Sequence, residues 1–316
     1  MKDFHRVGII GASDIARKVF MPILDRMENC KIVALCSRTK ETAIELGKEF
    51  SVKHVYDDLD EFLGRDDIDS VFVCTPTDTH LAIVSAALNK SKNVLVEKPL
   101  TTIEEQDFSL FELARSSSNT FYVAFNNNYR EENIWLRKEV LAGALGDIEL
   151  INFEWYRSQP FPRLGSHQGS KPSGILMHLG AKMLHVALSL IPDRSSFKAV
   201  CQNLNRSGGS LDEEDTSSAS IIINEKISLN MRLGWNILLP VGSQTNFEVF
   251  GKKKKGSNSE YEGPGSDGYE NMIVEFLNQS SSSQPMELDL VQDTMTLIHA
   301  LYRSHQTKSP VSGKFA

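Results

Sequence analysis

Val7-Gly8-Ile9-Ile10-Gly11-Ala12-Ser13-Asp14-Ile15-Ala16 reads as an apolar strand, a tight turn and the first turn of a helix. The fingerprint G-x-G-x-x-G/A of dinucleotide-binding turns falls on Gly11, Ser13 and Ala16. Gly11 permits the tight turn. Ser13 stands where backbone must approach a pyrophosphate, and it is small enough to allow that. Ala16 is an accepted small residue where helix packs on strand. The free N–H groups and positive dipole end around Ala12, Asp14 and Ile15 suit a pyrophosphate. The motif is degenerate, and its position between a predicted strand and a predicted helix gives it weight.

Working outward, short β-branched runs recur at Arg6–Ile10, Lys31–Cys36, Ser70–Cys74, Asn93–Glu97 and Phe121–Phe125. Between most of them the spacing is helical: Ile15, Val19, Ile23 and Met27 share one face, as do Leu81, Val84 and Leu88. Thr102 and Glu105 fit a capping box for the helix carrying Phe108, Phe111 and Leu113. Strands apolar on both faces, alternating with helices, imply an α/β fold with a doubly wound parallel sheet. This first domain is expected to span residues 1–125.

The end of the second strand bears on the choice of nicotinamide cofactor. An acid there would bind the ribose 2′-hydroxyl of NAD. This chain has Cys36-Ser37-Arg38-Thr39-Lys40 instead. Ser37 can donate a hydrogen bond, Arg38 can fork onto a 2′-phosphate, and Lys40 adds charge. NADP(H) is favoured over NAD(H).

After Asn126 the pattern changes. Glu149–Tyr156, Phe197–Asn203, Ser218–Ile223, Ile227–Gly234 and Thr245–Gly251 read as strands without regular helices between them. They predict a mainly antiparallel sheet in a second, α+β domain covering residues 126–316. Helical spacing interrupts it at Ile175–Leu190 and Leu288–Tyr302. Ser207–Asp215, Lys252–Gly268 and Ser280–Gln284 read as polar loops, with Lys252–Lys255 as a solvated hairpin tip.

A chain of 316 residues with a net charge of −7 suits two soluble domains and argues against a nucleic-acid partner. The N-terminal apolar run is too short for a secretory signal, and no stretch is apolar enough for a membrane span. Cys30, Cys36, Cys74 and Cys201 form no C-x-x-C pair, so buried free thiols in a reduced, cytoplasmic protein are expected.

Cys74-Thr75-Pro76-Thr77-Asp78-Thr79-His80, followed by Val96-Glu97-Lys98-Pro99-Leu100, resembles the glucose–fructose oxidoreductase / inositol dehydrogenase / rhizopine catabolism (Gfo/Idh/MocA) family. Gly143-Ala144-Leu145-Gly146-Asp147-Ile148 and the segment from Tyr269 through Phe276 to Tyr302 extend the resemblance over nearly the whole chain. The resemblance implies an oxidoreductase acting on a sugar, sugar derivative or cyclitol. It implies that Thr75, Pro76, Thr77, His80 and Glu97 line the cofactor and that Lys98 supports catalysis beside the substrate. It also implies an open sheet in the second domain, through which a homodimer or homotetramer packs. Lys98, just past a strand end, can stabilise an alkoxide.

The family's second-domain helix carries D-x-G-x-H-x-x-D. Aligned on Gly180, this chain has His178, Lys182 and His185 in place of the acid, the acid/base histidine and the second acid. Spacings of four and three place them on one helix face. His178 and His185 lie about 10.5 Å apart along such a helix, too far to share a metal ion. Three readings stand. Lys182 replaces the histidine as proton-transfer group, with a pKa lowered towards about 7–8. Alternatively His178, naturally poised near neutrality, takes that role. In the third, catalysis is lost and the protein is a cofactor- and sugar-sensing regulator. Reduction of an imine or another non-sugar carbonyl is a further option. Asn126-Asn127-Asn128-Tyr129-Arg130 departs from an arginine–aromatic pattern, with Asn126 and Tyr129 as substrate candidates. Arg163, His167 and Lys171 fall where family members often contact substrate, and could hold a phosphate or carboxylate.

Overall fold

The computed structural model describes residues 4–158, 174–206, 214–235, 237, 239, 242–279 and 284–316. The chain divides into two compact units. The first comprises Met1–Ala124 with Tyr269–Leu288, and the second Phe125–Gly268 with Asp289–Ala316.

The first unit is built on β1 (His5–Ile10), β2 (Cys30–Cys36), β3 (His54–Tyr56), β4 (Ser70–Val73), β5 (Asn93–Val96) and β6 (Phe121–Val123). They form one parallel sheet in the order β3-β2-β1-β4-β5-β6. The order reverses between β1 and β4, so their carboxyl ends flank a topological switch point. Val7, Ile9, Val71, Val73, Val94 and Val96 are all buried, as strands covered on both faces require. The three residues of β3 form an edge strand with little burial, too short to register as a periodic signal.

Local details depart from the sequence pattern. The helix after β1 opens with a π turn at Ala16–Phe20 before the α-helix Met21–Arg26. The widened turn rotates the rest of the helix, so Ala16, Phe20, Met21, Ile23 and Leu24 are buried, while Val19 and Met27 are only half-buried. The capping box at Thr102 does not form. The helix starts at Glu104, and Thr101 serves its entry instead: its hydroxyl donates to Asp107 at 2.7 Å and accepts from the Ile103 amide at 3.1 Å. Along this helix Leu110, Phe111 and Ala114 are buried, and Phe108 is 37% exposed.

Tyr269–Asn278 is a helix with Met272, Ile273, Phe276 and Leu277 buried. Phe276 packs edge-on against Phe72 and Tyr122, with ring centroids 5.6 Å away in each case, and Tyr269 meets Phe20 at 5.6 Å. These contacts group Tyr269–Leu288 with the first unit, whereas the sequence reading divides the chain at a single boundary after residue 125.

The second unit contains β7 (Ile148–Arg157), β8 (Ser196–Leu204), β9 (Thr216–Ile223), β10 (Ile227–Gly234), β11 (Ser243–Gly251), β12 (Lys255–Ser257) and β13 (Val311–Lys314). The sheet order is β12-β11-β7-β10-β9-β8-β13. Only the β7–β10 pair is parallel, so the sheet is mixed and mainly antiparallel. In β8 and β9 buried and exposed residues alternate strictly, which marks one covered and one open face. The polar loop expected from Lys252 contains β12, which closes a hairpin with β11. Lys252, Lys254 and Lys255 at its exposed tip pair with Asp147, Glu139 and Glu248. All four cysteines are buried and free, and burial pushes the thiols of Cys30 and Cys36 up to about 11. Among the described residues no helix is long and apolar enough to cross a membrane.

Candidate active site

In the first unit the carboxyl ends of β1, β2, β4 and β5 bring four loops to one edge of the sheet. Gly11 has φ +102°, and a Cβ there would stand 2.8 Å from the carbonyl carbon and oxygen of Cys74. Its amide donates to the Cys36 carbonyl at 2.8 Å, and Cys74 N donates to Ile10 O at 2.7 Å. Only a glycine fits a turn pressed this closely on its neighbour. Ser13 opens the following helix, accepting from Arg17 N at its carbonyl and from Ala16 N at its hydroxyl. This is the cradle a pyrophosphate needs, so Gly11, Ala12, Ser13, Asp14 and Ile15 fit a dinucleotide. The Asp14 carboxylate points away into solvent, paired with Lys18 at 2.8 Å.

At the end of β2, Arg38 is exposed, and it has no ion-pair partner among the described residues. Ser37 Oγ lies 3.4 Å from Thr42 Oγ1, and Lys40 pairs with Asp57 at 3.2 Å. Of the expected phosphate-binding trio, Arg38 has its charge most available.

After β4, Thr79 Oγ1 donates within the Thr75–Pro76 turn, tightening it. His80 is 1% exposed. Its Nε2 faces Thr75 O at 3.0 Å, and its Nδ1 faces Pro99 O and Leu100 O at 3.1 and 2.9 Å. Burial lowers its pKa, and the three carbonyls oppose that. The expectation that His80 touches cofactor gives way to a strut role, because both ring nitrogens are spent between the loop after β4 and the loop after β5. That second loop holds Glu97 and Lys98, followed by a cis peptide to Pro99. The Glu97 carboxylate accepts from Lys98 N at 3.1 Å. Burial pulls the Lys98 ammonium below the ordinary lysine value, and the charge of Glu97 works against it.

In the second unit a 3-10 turn, Asn126–Tyr129, buries all four of its side chains. Asn126 Nδ2 donates to Asp267 O at 2.7 Å, while its buried Oδ1 has no hydrogen-bond partner among the described residues. Asn127 reaches Met183 Sδ at 3.8 Å, which fastens the turn to the helix bearing the altered motif. That helix begins with a π turn, Leu176–Gly180, and continues as Ala181–Ser189. A Cβ at Gly180 would meet the side chains of Leu176, Leu233 and Met231, so the glycine lets the helix lie on β10.

The three motif positions differ in setting. His178 is half-buried, with its ring centroid 6.2 Å from that of Trp235. Lys182 is 7% exposed. His185 is fully buried, its ring stacked on Phe125 at 4.5 Å, with Nδ1 3.1 Å from Thr294 Oγ1. The Thr294 hydroxyl gives its one hydrogen to Leu290 O at 2.7 Å, so His185 Nδ1 is the donor. His185 is a core residue of this unit, which replaces its expected place against substrate. Arg163, His167 and Lys171 lie outside the described residues.

Sequence reasoning missed Glu214. Its buried carboxylate accepts from Leu176 N and from Tyr302 Oη, each at 2.9 Å, and so anchors the start of the motif helix. A negative group at a helix N-terminus is favourable. A Cβ at Gly174 would stand 2.0 Å from Glu214 Oε2, so Gly174 leaves that carboxylate its room. No motif surrounds Glu214 in the sequence.

Comparison with known proteins agrees with this architecture. Residues 5–125 match the model of an oxidoreductase family with an NAD-binding Rossmann fold, GFO_IDH_MocA. A 4-carboxy-2-hydroxymuconate-6-semialdehyde dehydrogenase of Sphingobium sp. (strain NBRC 103272 / SYK-6) is 29% identical over 48% of this chain and 47% of its own. A dTDP-3,4-didehydro-2,6-dideoxy-alpha-D-glucose 3-reductase of Actinomadura kijaniata is 37% identical over 45% and 43%. The aligned stretches thus span about half the length of these relatives. Over the whole chain the fold matches scyllo-inositol dehydrogenase from Lactobacillus casei, solved with NAD(H) and scyllo-inositol. The TM-score is 0.81 at 19% identity, covering 98% of this chain and 99% of that one. Residues 5–125 thus match the NAD-binding Rossmann fold of the GFO_IDH_MocA oxidoreductase family, and the rest of the chain is similar to the solved structures in fold.

Proposed function

We propose that the protein is a cytoplasmic, NADP(H)-dependent oxidoreductase acting at a hydroxyl/carbonyl carbon of a sugar, sugar derivative or cyclitol. The observation that carries this reading is the gathering of the Gly11 turn, exposed Arg38 and buried Lys98 at one sheet edge. The named activities of relatives, on a dTDP-sugar and on scyllo-inositol, support the substrate class. When bound, the dinucleotide supplies or accepts a hydride. Gly11 to Ile15 hold its pyrophosphate and Arg38 its 2′-phosphate, with Ser37 and Lys40 beside it. Lys98 stabilises the negative charge that develops on the substrate oxygen. Asn126 Oδ1 accepts a hydrogen bond from a substrate hydroxyl, and Lys182 or His178 moves the proton. The open face of the second sheet exposes Val200 and Ile222, at 42% and 40%, and is the surface for a homodimer or homotetramer. A single monomeric species in sedimentation overturns that assembly.

Thermal-shift titration with NADPH and, separately, NADH is the direct test. Ligand at 100 times its Kd adds about 2.7 kcal/mol of stability. A shift with NADPH alone supports the reading, and a shift with NADH alone overturns the cofactor preference. A non-catalytic sensor is the second reading, motivated by Lys182 standing where the motif implied by the family resemblance has a histidine. Tight cofactor binding with no turnover of any neutral, acidic or phosphorylated sugar or cyclitol decides for it.

A further inference from the structure

His80 opens the helix His80–Asn89 and is buried in the first unit. Three backbone oxygens surround its ring. Thr75 O lies 3.0 Å from Nε2, and Pro99 O and Leu100 O lie 3.1 and 2.9 Å from Nδ1. Carbonyl oxygens only accept hydrogen bonds, whereas a neutral imidazole carries one N–H and one bare lone pair. A neutral ring in this setting donates at one end and sets its lone pair against a carbonyl oxygen at the other, which is costly away from water. Only the imidazolium, with two N–H groups, satisfies both ends.

The two ends lie on different loops. Thr75 belongs to the turn after β4, which Thr79 Oγ1 tightens through Thr75 Oγ1 at 2.8 Å and Pro76 O at 2.7 Å. Pro99 and Leu100 belong to the loop after β5, directly beyond Lys98. That loop is also pinned just before Lys98, because Glu97 N donates to Val73 O at 2.9 Å. Lys98 therefore stands between two backbone anchors, one made by the sheet and one by His80. The anchor made by the sheet does not titrate, and the one made by His80 does.

The charged groups around the ring set where it titrates. Asp78, on the turn just before His80, favours the charged ring, as do the three carbonyls, and burial outweighs them. Glu97 and Lys98 lie together on the braced loop with opposite charges. Of the other elements packed against this helix, Glu104–Ser116 carries buried Asp107, engaged by Thr101 Oγ1 at 2.7 Å, and Leu59–Leu63 carries Asp60 and Glu61, both exposed.

We propose that His80 is the positioning residue of Lys98: as an imidazolium it clamps the turn after β4 to the loop after β5, and on losing its second proton it releases one of the two. This deepens the proposed function and rests on its reading of Lys98 as the group that stabilises the substrate oxygen. Burial keeps the second proton on the acid side of the ordinary histidine value of about 6.5, so the clamp closes as the medium turns mildly acidic.

The test is hydrogen exchange read by mass spectrometry on the full chain between about pH 5 and 8. Rates are expressed as protection factors, which removes the intrinsic pH dependence of exchange. Peptides covering residues 74–80 and 97–103 should gain about tenfold protection towards the acid end, as one charge-assisted hydrogen bond implies, while peptides from β8 and β9 stay level. His80→Gln, checked for an unchanged circular dichroism spectrum, presents amide donors at one end only and does not titrate, so it should abolish that gain. Loss of protection by the same factor at every pH marks a merely structural histidine and overturns the proposal. Nitrogen NMR of the histidine-labelled chain, with His80 identified by the signal that the variant lacks, should show both ring nitrogens protonated at the acid end. A ring with one protonated nitrogen throughout the range, or wild-type loop protection that ignores pH, overturns the proposal, and the wild-type exchange decides alone should the variant fail to fold. NADPH-linked turnover is scored separately. A clamp that titrates without turnover of any sugar keeps the role of His80 and overturns the enzyme, while turnover with a clamp that does not titrate does the reverse.

Discussion

Gly11→Ala tests the turn on which the cofactor reading depends. The residue sits at φ +102°, where an L side chain costs about 1–3 kcal/mol. Its added Cβ would also stand 2.8 Å from the Cys74 carbonyl group and 2.9 Å from Thr75 Cγ2. Those backbone atoms cannot simply yield, because Cys74 N is tied to Ile10 O and Gly11 N to Cys36 O. Overpacking of this kind adds about 1–3 kcal/mol. The first unit should lose about 2–6 kcal/mol of stability, seen as reduced amide-exchange protection in β1 and β4. Peptides from β8 and β9 of the second unit serve as the reference. Affinity for NADPH should fall at least about tenfold, equivalent to 1.4 kcal/mol. Unchanged exchange in residues 5–10 and 70–73, together with unchanged NADPH affinity, would refute both the strain argument and the placement of the pyrophosphate.

Single residues supply further tests. Burial depresses the pKa of Lys98, so between that value and the ordinary lysine pKa of about 10.4 the folded chain binds fewer protons than the unfolded one. Stability gained from this group therefore rises with pH across that window. Lys98→Met should flatten the rise in urea midpoints measured at successive pH values while abolishing turnover, and an unaltered slope would exclude the cause. Arg38→Ala should weaken NADPH about 10- to 100-fold by fluorescence titration and leave NADH unchanged, as loss of a charge-assisted contact to phosphate requires. Glu214→Ala leaves the Leu176 amide and the Tyr302 hydroxyl without this acceptor, so denaturant unfolding should show a loss of about 2–4 kcal/mol. Lys182→Gln and His178→Gln, compared in pH–rate profiles, separate the two proton-transfer readings. The true group's variant loses one limb of the profile and the other keeps both.

The first unit was legible because its strands are nearly continuous apolar runs joined by turn chemistry that few other structures need. Gly11, the run of residues from Cys36 to Lys40, and Lys98 each announce a position at a strand end. Failures began where long-range packing decides. A period of 3.6 cannot show that Ala16–Phe20 is a π turn, so the face through Ile15, Val19 and Met27 was misplaced. His178, Lys182 and His185 stood out as replacements in one motif, and spacing made them equivalent. Only Phe125 and Thr294, distant in sequence, show that His185 belongs to the core. Glu214 acts through contacts 38 and 88 residues away and leaves no local trace.

The grouping of Tyr269–Leu288 with the first unit bears on the order in which the molecule can be made. A chain emerging from the ribosome exposes all six strands of the first sheet by Val123, yet Phe20, Phe72 and Tyr122 then lack Tyr269 and Phe276 as partners. That core closes only after nearly the whole second unit has been synthesised. A fragment ending at residue 125, although it holds the complete dinucleotide fingerprint, should therefore emerge as a sticky intermediate. Fusing residues 269–288 to it through a flexible linker is the shortest route to an isolated cofactor-binding domain.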